Sequence, residues 1–184
     1  MTGPASVDGG ERLRLFVGFP LPAAAAAAIG RWQGRLPSTM GRLVPEENLH
    51  LTVAFLGHRP AGEVPAVVEV LREAASAARS IALSPRRYRE TRSVGMLVFD
   101  DPQDAATRVA ERVQKRLERL GVYRREARPW LPHVTVVRFR ERPRLAPDVP
   151  QFGPVSPSDL ALYHSALRST GAQYEIVESV ALGG

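Results

Sequence analysis

The feature that most constrains this chain is a His-x-Thr-x motif that occurs twice, each time inside an apolar, strand-like segment. The first copy contains His50 and Thr52, and the second contains His133 and Thr135. Side chains alternate between the two faces of a β-strand, so the histidine and threonine of each copy share one face. The other face of the first strand is predicted to lie in a core, and its residues are Leu49, Leu51, Val53 and Phe55.

A pair of imidazoles that face each other across a cleft can carry out acid–base chemistry at phosphorus. With an ordinary pKa near 6.5, one ring can be neutral while its partner is protonated at the same pH. One ring then takes a proton from the nucleophile and the other gives one to the leaving oxygen, while the hydroxyls donate to phosphate oxygens. A single copy would be explained as well by a histidine on a half-buried strand that bonds its neighbouring threonine. The recurrence in two similar apolar segments favours function.

Other site chemistries find less support in the sequence. A metal site needs three or four ligands, and apart from Glu46 and Glu47 no carboxylate flanks either motif at a suitable spacing. Gly-x-Ser-x-Gly, the turn that carries the nucleophile in many serine hydrolases, does not occur. The chain also has no Cys, which excludes a disulfide scaffold, a Cys-ligated metal and a thiol nucleophile. No metal and no cofactor are therefore expected.

Hydrophobic periodicity and the positions of Gly and Pro predict alternating strands and helices. One helix is predicted with an N-cap at Asp101, Pro102 at its first position, and a C-terminal cap at Gly121. The predicted strands are 13–19, 49–56, a strand or strand pair within 81–92, 94–99, 131–139, and a closing hairpin of 160–167 and 173–182. The predicted helices are 23–35, 62–78 and 103–120, and 142–157 is a proline-rich loop. This order is a mixed α+β pattern.

The length of 184 residues suits one domain, with residues 1–11 as a flexible N-terminal flank. No signal peptide and no membrane-spanning run is recognised, and with the absence of Cys this predicts a cytoplasmic protein with no membrane partner. The net charge of +6 is consistent with a phosphate-bearing partner. Arginine makes up nearly all of the positive charge, so a GC-rich genome would explain it equally well.

The two motifs and their surroundings resemble the two-histidine (2H) phosphoesterase superfamily. Within it the chain is similar to the RNA 2′,3′-cyclic phosphodiesterases, historically called 2′–5′ RNA ligases. The similar segments are 13–22, 44–57, 132–138 and 162–175. The resemblance implies an α+β fold of two pseudo-symmetric lobes of antiparallel sheet, with outer helices around a central cleft. Residues 12–184 would form this single bilobed domain.

The resemblance also implies an activity and a role for each motif residue. The reaction would be metal-independent hydrolysis of 2′,3′-cyclic phosphates, at RNA ends or in nucleotides, to 2′-phosphates. His50 would be the general acid, His133 the general base, and Thr52 and Thr135 would hold the phosphate, although the pseudo-symmetry makes the two histidine roles easy to interchange. The partners would be RNA with cyclic phosphate ends or cyclic nucleotides, and the protein would be a monomer. Alternatives are 2′–5′ RNA ligation at the same site and a nonenzymatic RNA-binding module.

Two further residues are candidates for substrate contacts. Arg138 matches a position of the family and would add a fixed positive charge at the phosphate. It is five residues from His133, so a regular strand would place it on the opposite face, and the role requires that the strand bend or bulge. Trp130 is a candidate for stacking on a base, whereas Phe55 is expected in the core by strand parity. Arg-rich runs over 86–92 and 138–144 are candidates for RNA contact or ordinary solvated faces.

Overall fold

The computed structural model describes residues 10–37, 39, 41–169 and 171–183. Of the predicted flexible flank, residues 1–9 lie outside the described part of the chain. The described residues form three α-helices, α1 Ala23–Gln33, α2 Val64–Ser76 and α3 Ala105–Arg119, and 3-10 turns at Glu46–Asn48 and Ala61–Glu63. The strands are β1 Arg12–Pro20, β2 Arg42–Leu43, β3 His50–Pro60, β4 Ser84–Glu90, β5 Val94–Asp100, β6 His133–Arg138, β7 Asp159–Arg168 and β8 Gly171–Ala181.

The strands form one antiparallel sheet in the order β4-β5-β6-β3-β1-β7-β8, with β2 paired to β6. Its centre is the contact between β3 and β6, where Leu51 pairs with Val134. Around this centre the segment β1-α1-β3 corresponds to β5-α3-β6, since each is a strand, a helix and a motif strand in the same order. The predicted α+β class with two related halves is confirmed. The two halves share a continuous sheet, and each contributes one motif strand at its middle.

The main core lies between the sheet and the helices. Helix α3 buries Val109, Val113 and Leu117, at the spacing of one helical face. The predicted N-cap at Asp101 is wrong, because the helix begins at Ala105 and Asp104 occupies the N-cap position. The carboxylate of Asp101 nevertheless accepts the N–H of Ala105 at 3.0 Å, so it satisfies a free donor at this end of the helix. Gly121 has a φ of +78°, the left-handed conformation predicted for the residue that ends this helix.

Both motif strands contain a β-bulge directly after the threonine. In β3, Thr52 pairs with Gly18 and Ala54 pairs with Val17, which leaves Val53 as an extra residue. In β6 the extra residue is Val136, because its neighbours Thr135 and Val137 occupy consecutive pairs with β5. A bulge inserts one residue and so reverses the face on which the following side chains lie. The burial pattern of the first six residues is the same in both strands: half-buried, buried, half-buried, buried, buried, exposed.

The bulges decide on which face of the sheet the side chains of Phe55 and Arg138 lie. Phe55 was predicted to lie in the core, and this is wrong, because its side chain is 61% exposed. Arg138 is exposed at the corresponding position of β6. The bulge is the distortion that Arg138 required in order to share a face with His133 and Thr135.

No helix among the described residues is long and apolar enough to cross a membrane.

Candidate active site

The two motifs meet at the centre of the sheet, where β3 and β6 run antiparallel. The pairing of Leu51 with Val134 sets the register between the two strands. One residue to either side, this register places His50 opposite Thr135 and Thr52 opposite His133. These four side chains are half-buried, whereas the intervening Leu51 and Val134 are fully buried on the core face. The alternation predicted from the sequence thus holds over the motifs themselves.

Both imidazoles are held in the same way. His50 Nδ1 donates to the carbonyl of Asn48 at 2.7 Å, and His133 Nδ1 donates to the carbonyl of Leu131 at 2.7 Å. Since a carbonyl can only accept, each neutral ring carries its proton on Nδ1 and leaves Nε2 as an acceptor. In the first motif His50 Nε2 accepts the hydroxyl proton of Thr52 at 2.9 Å. Each ring is therefore oriented by the backbone carbonyl two residues before it, just ahead of its strand, with Nε2 as the nitrogen that can exchange protons with a ligand.

Burial makes both histidines poor bases in the free protein. The pKa of His50 is lowered to about 4, chiefly by burial and in smaller part by the nearby charges of His133 and Arg138, while the hydrogen bond to the Asn48 carbonyl acts in the opposite direction. The pKa of His133 is also lowered, again first by burial and then by Arg128 and Arg89, while the Leu131 carbonyl and Glu126 act in the opposite direction. Both rings are accordingly neutral at pH 7, and an anion bound beside Nε2 would favour protonation.

The His50 ring packs against aromatic side chains from three other strands. Its centroid lies 4.8 Å from that of Phe16, 5.5 Å from Tyr163 and 5.3 Å from Tyr174. Phe16 in turn lies 5.6 Å from the exposed ring of Phe55. This aromatic group is separate from the main core. The aromatic group explains the low polarity around His50. Its members come from distant segments of the chain, so no local sequence pattern indicates it.

A glycine makes room for this arrangement. A Cβ at Gly18 on β1 would lie 2.8 Å from the carbonyl oxygen of Leu51 and 3.4 Å from Cδ2 of His50. The first of these distances is shorter than a side chain can tolerate, so this position requires close approach of the backbone. Gly18 thereby allows β1 and β3 to bring Phe16 and the His50 ring into contact.

Positive charge surrounds the motifs, but only part of each Arg-rich run contributes. Arg89 from the first run and Arg138 from the second lie close enough to lower the histidine pKa values, as does Arg128, which sequence analysis missed. By contrast, Arg86 pairs with Asp100 at 3.0 Å and Arg142 pairs with Glu90 at 3.1 Å. Each Arg-rich run therefore contributes one arginine near the motif histidines, while another arginine of the same run forms an ion pair with a carboxylate.

Trp130 connects the two motifs. Its indole Nε1 donates to the carbonyl of Thr52 at 2.9 Å, across 78 residues of chain, and its ring meets Phe19 edge-on at 6.2 Å. The side chain is half-buried and packs against the core. The segment that leads into the second motif is therefore bonded to the strand of the first.

Within the described ranges, no group of three or more His, Asp or Glu side chains is arranged to hold a metal ion.

Comparison with known proteins places this geometry among phosphoesterases. A family model described as LigT-like phosphoesterase matches residues 19–88. A Thermus thermophilus protein named RNA 2′,3′-cyclic phosphodiesterase is 31% identical over 186 residues, which covers 94% of this chain and 91% of that protein. A Geobacillus stearothermophilus protein of the same name is 27% identical over 95% of this chain, and the chain spans 59% of its length. The crystal structure of Escherichia coli LigT in apo form superimposes with a TM-score of 0.82 at 26% identity, covering 95% of this chain and 100% of that one.

Proposed function

This chain belongs to the family of LigT-like phosphoesterases, and on that basis we propose that it hydrolyses 2′,3′-cyclic phosphates at RNA ends or in nucleotides. The observation that carries the proposal is the pairing of two His-x-Thr motifs across the centre of the sheet, with His50 opposite Thr135 and Thr52 opposite His133. Two proton-transfer groups and two hydroxyls around one position are what in-line displacement at phosphorus requires. The names of the Thermus and Geobacillus relatives support the cyclic phosphate as substrate.

In the proposed reaction a water molecule attacks phosphorus and the bond from phosphorus to the 3′ oxygen breaks. His133 takes the proton of the water through Nε2, and His50 gives a proton from Nε2 to the departing 3′ oxygen. The products are a 2′-phosphate and a free 3′ hydroxyl, and the two rings exchange their protonation states in each turnover. The free rings are neutral at pH 7, so His50 must gain a proton before it can act as the acid. The negative charge of the bound phosphodiester raises the pKa of His50 and so favours this protonation.

The phosphate would be held by hydroxyls and by arginine. Thr135 and Thr52 would donate to nonbridging oxygens, and for this the Thr52 hydroxyl turns away from His50 Nε2, which it bonds in the free protein. Arg138 would supply a fixed charge from the same face of β6. Arg89 and Arg128, beside His133, add positive potential that attracts an RNA backbone.

The exposed aromatic ring nearest the motifs is Phe55, which is suited to stacking on a nucleobase. The prediction that Trp130 stacks on a base remains a proposal. Its bond to Thr52 makes it the less mobile of the two rings.

The test is hydrolysis of the four nucleoside 2′,3′-cyclic monophosphates by purified protein in excess EDTA, with the product phosphate located by ³¹P NMR. We expect 2′-phosphates, undiminished turnover in EDTA, and a loss of at least about a hundredfold in kcat for His50→Ala and for His133→Ala. His58→Ala, which removes an exposed histidine from the same strand, is the matched control.

Three outcomes would contradict the proposal. Activity that disappears in EDTA would indicate metal chemistry, and full activity in both histidine variants would place the reaction elsewhere. Binding of cyclic-ended RNA without turnover would favour the RNA-binding module. Incubation with paired half-RNAs in the same experiment tests ligation, which would be the principal activity if joined product formed faster than hydrolysed ends.

A further inference from the structure

Two buried glutamines occupy corresponding places in the two halves of the fold. Gln33 lies near the end of α1 and is 3% exposed, and Gln114 lies on α3 and is 8% exposed. The other buried residues of these helices are apolar. An uncharged amide in such a setting must find hydrogen-bond partners, because an unpaired buried polar group destabilises the fold.

Both amides bond to the extra residue of a β-bulge. Gln33 Nε2 donates to the carbonyl of Val136 at 2.7 Å, and Gln114 Nε2 donates to the carbonyl of Val53 at 2.9 Å. Each glutamine therefore reaches from the helix of one half to the motif strand of the other. On the Gln33 side the network continues through Val44, whose carbonyl accepts the same Nε2 at 3.0 Å and whose N–H donates to Val136 at 2.9 Å.

A bulge needs such a partner for a physical reason. The extra residue is excluded from regular pairing with the neighbouring strand, so its buried carbonyl needs a hydrogen-bond donor from elsewhere. An apolar side chain of equal size at position 33 would fill the space but supply no donor. The carbonyl of Val136 would then keep only the N–H of Val44 as a donor, and the carbonyl of Val44 would lose the Gln33 amide. The bulge would become less stable relative to regular pairing, and regular pairing reverses the faces of all following side chains.

We propose that Gln33 and Gln114 are positioning residues for the reaction, because each holds the bulge that turns the fifth residue after a motif histidine onto the face of the motifs. Gln33 positions Arg138 through the bulge at Val136, and Gln114 positions Phe55 through the bulge at Val53. The kinetic part of this inference rests on the proposed function.

The experiment combines Gln33→Met with Arg138→Ala in a double-mutant cycle. Arg138→Ala should raise KM for a nucleoside 2′,3′-cyclic monophosphate on the order of tenfold, the value of one charge-assisted contact. Gln33→Met should raise KM at least about fivefold with a smaller effect on kcat, and adding Arg138→Ala to it should raise KM by no more than about twofold further. Gln33→Asn, whose amide falls short of Val136, is a second variant with the same expectation and keeps the test available if the first does not fold.

Gln114→Met is the matched control, because it removes the corresponding bond from the other half. It should lower thermal stability by a similar amount, yet Arg138→Ala in its background should keep the full tenfold effect on KM. Likewise, Phe55→Ala should change KM less in the Gln114→Met background than in the wild type. In the Gln33→Met background it should change KM by the same factor as in the wild type.

A second readout needs no turnover. The titratable and charged groups that face His50 are His133 and Arg138 from β6, Tyr163 from β7 and Tyr174 from β8. Removal of the Arg138 charge should raise the pKa of His50, so an NMR titration of the imidazole should show a rise in both Arg138→Ala and Gln33→Met.

The two readouts separate the possible failures. If Gln33→Met lowers thermal stability but leaves both KM and the His50 titration at their wild-type values, the glutamine is only structural and the inference is overturned. If the wild-type protein does not hydrolyse cyclic phosphates but the His50 titration moves alike in Gln33→Met and Arg138→Ala, the proposed function fails and the positioning role stands. Full additivity in the cycle would also overturn the inference.

Discussion

Replacement of His50 by glutamine should make the protein more resistant to acid, even though it removes a proposed catalytic group. Burial lowers the pKa of this ring from 6.5 to about 4. As the pH falls, the unfolded chain therefore binds a proton at this position well before the folded protein does. Stability is lost through the window between these two values and is fully present above it.

The size of the effect follows from the two pKa values. For one imidazole that titrates at 6.5 when unfolded and at about 4 when folded, the free energy of unfolding falls by about 2–3 kcal/mol between pH 7.5 and pH 4.5. For a chain of this length the same change corresponds to a fall of roughly 5–10 °C in Tm. Glutamine does not titrate, so His50→Gln should lose about 2–3 kcal/mol less than the wild type over this interval.

The assay is urea unfolding at both pH values for the wild type, His50→Gln and the control His58→Gln. Each protein is compared with itself, so packing lost through the substitution cancels, as does the protonation of carboxylates that the three proteins share. The control subtracts the effect of removing an imidazole from an exposed position of the same strand. If His50→Gln and the wild type lose the same free energy within about 0.5 kcal/mol, burial does not hold this pKa down and the account of the site electrostatics is wrong.

The remaining predictions concern the bond of Trp130 to the first motif, the contacts of Glu90 with the proline-rich loop, and the dependence of activity on pH. Trp130→Phe removes the donor to Thr52 and should lower kcat severalfold with about 1 kcal/mol of stability lost; an unchanged kcat would show that this bond does not position the motifs. Glu90→Gln removes the charge that pairs with Arg142 and one of the two oxygens that accept the N–H groups of Arg144 and Leu145, and should cost about 2 kcal/mol in chemical denaturation because one buried N–H then lacks an acceptor; a cost below about 1 kcal/mol would contradict this. Since both motif histidines have a pKa below 6.5, kcat/KM should fall about tenfold per pH unit above pH 7, and an optimum above pH 8 would be inconsistent with the proposed acid–base pair.

Local rules predicted the elements and the chemistry of the motifs. The apolar stripe of α3, Asp101 and Gly121 identified that helix with errors only at its ends. The alternation of side chains placed His50 and Thr52 on one face, and the same rule worked for the second motif. The rule failed after the bulge that lies three residues beyond each histidine. In the first strand it placed Phe55, five residues beyond His50, in the core.

The failure has a specific cause. Val53 and Val136 are β-branched residues that suit a regular strand, so nothing in their chemistry marks them as bulged. The carbonyl of each bulged residue accepts a hydrogen bond from a glutamine on a helix far away in the chain, 61 residues distant for Val53 and 103 for Val136. Such a partner is visible only when the helices have packed on the sheet.

Local sequence patterns were therefore enough to identify the candidate site: two imidazoles and two hydroxyls on the same faces of two strands, in a chain of alternating strands and helices. The tertiary structure alone decided which other residues join them. It brought Arg138 and Phe55 to the motif face, surrounded His50 with Phe16, Tyr163 and Tyr174, and joined the two motifs through Trp130. The physical reason is that strand alternation depends only on neighbouring residues, whereas a bulge, a buried amide and a low-dielectric histidine site depend on contacts between distant parts of the chain.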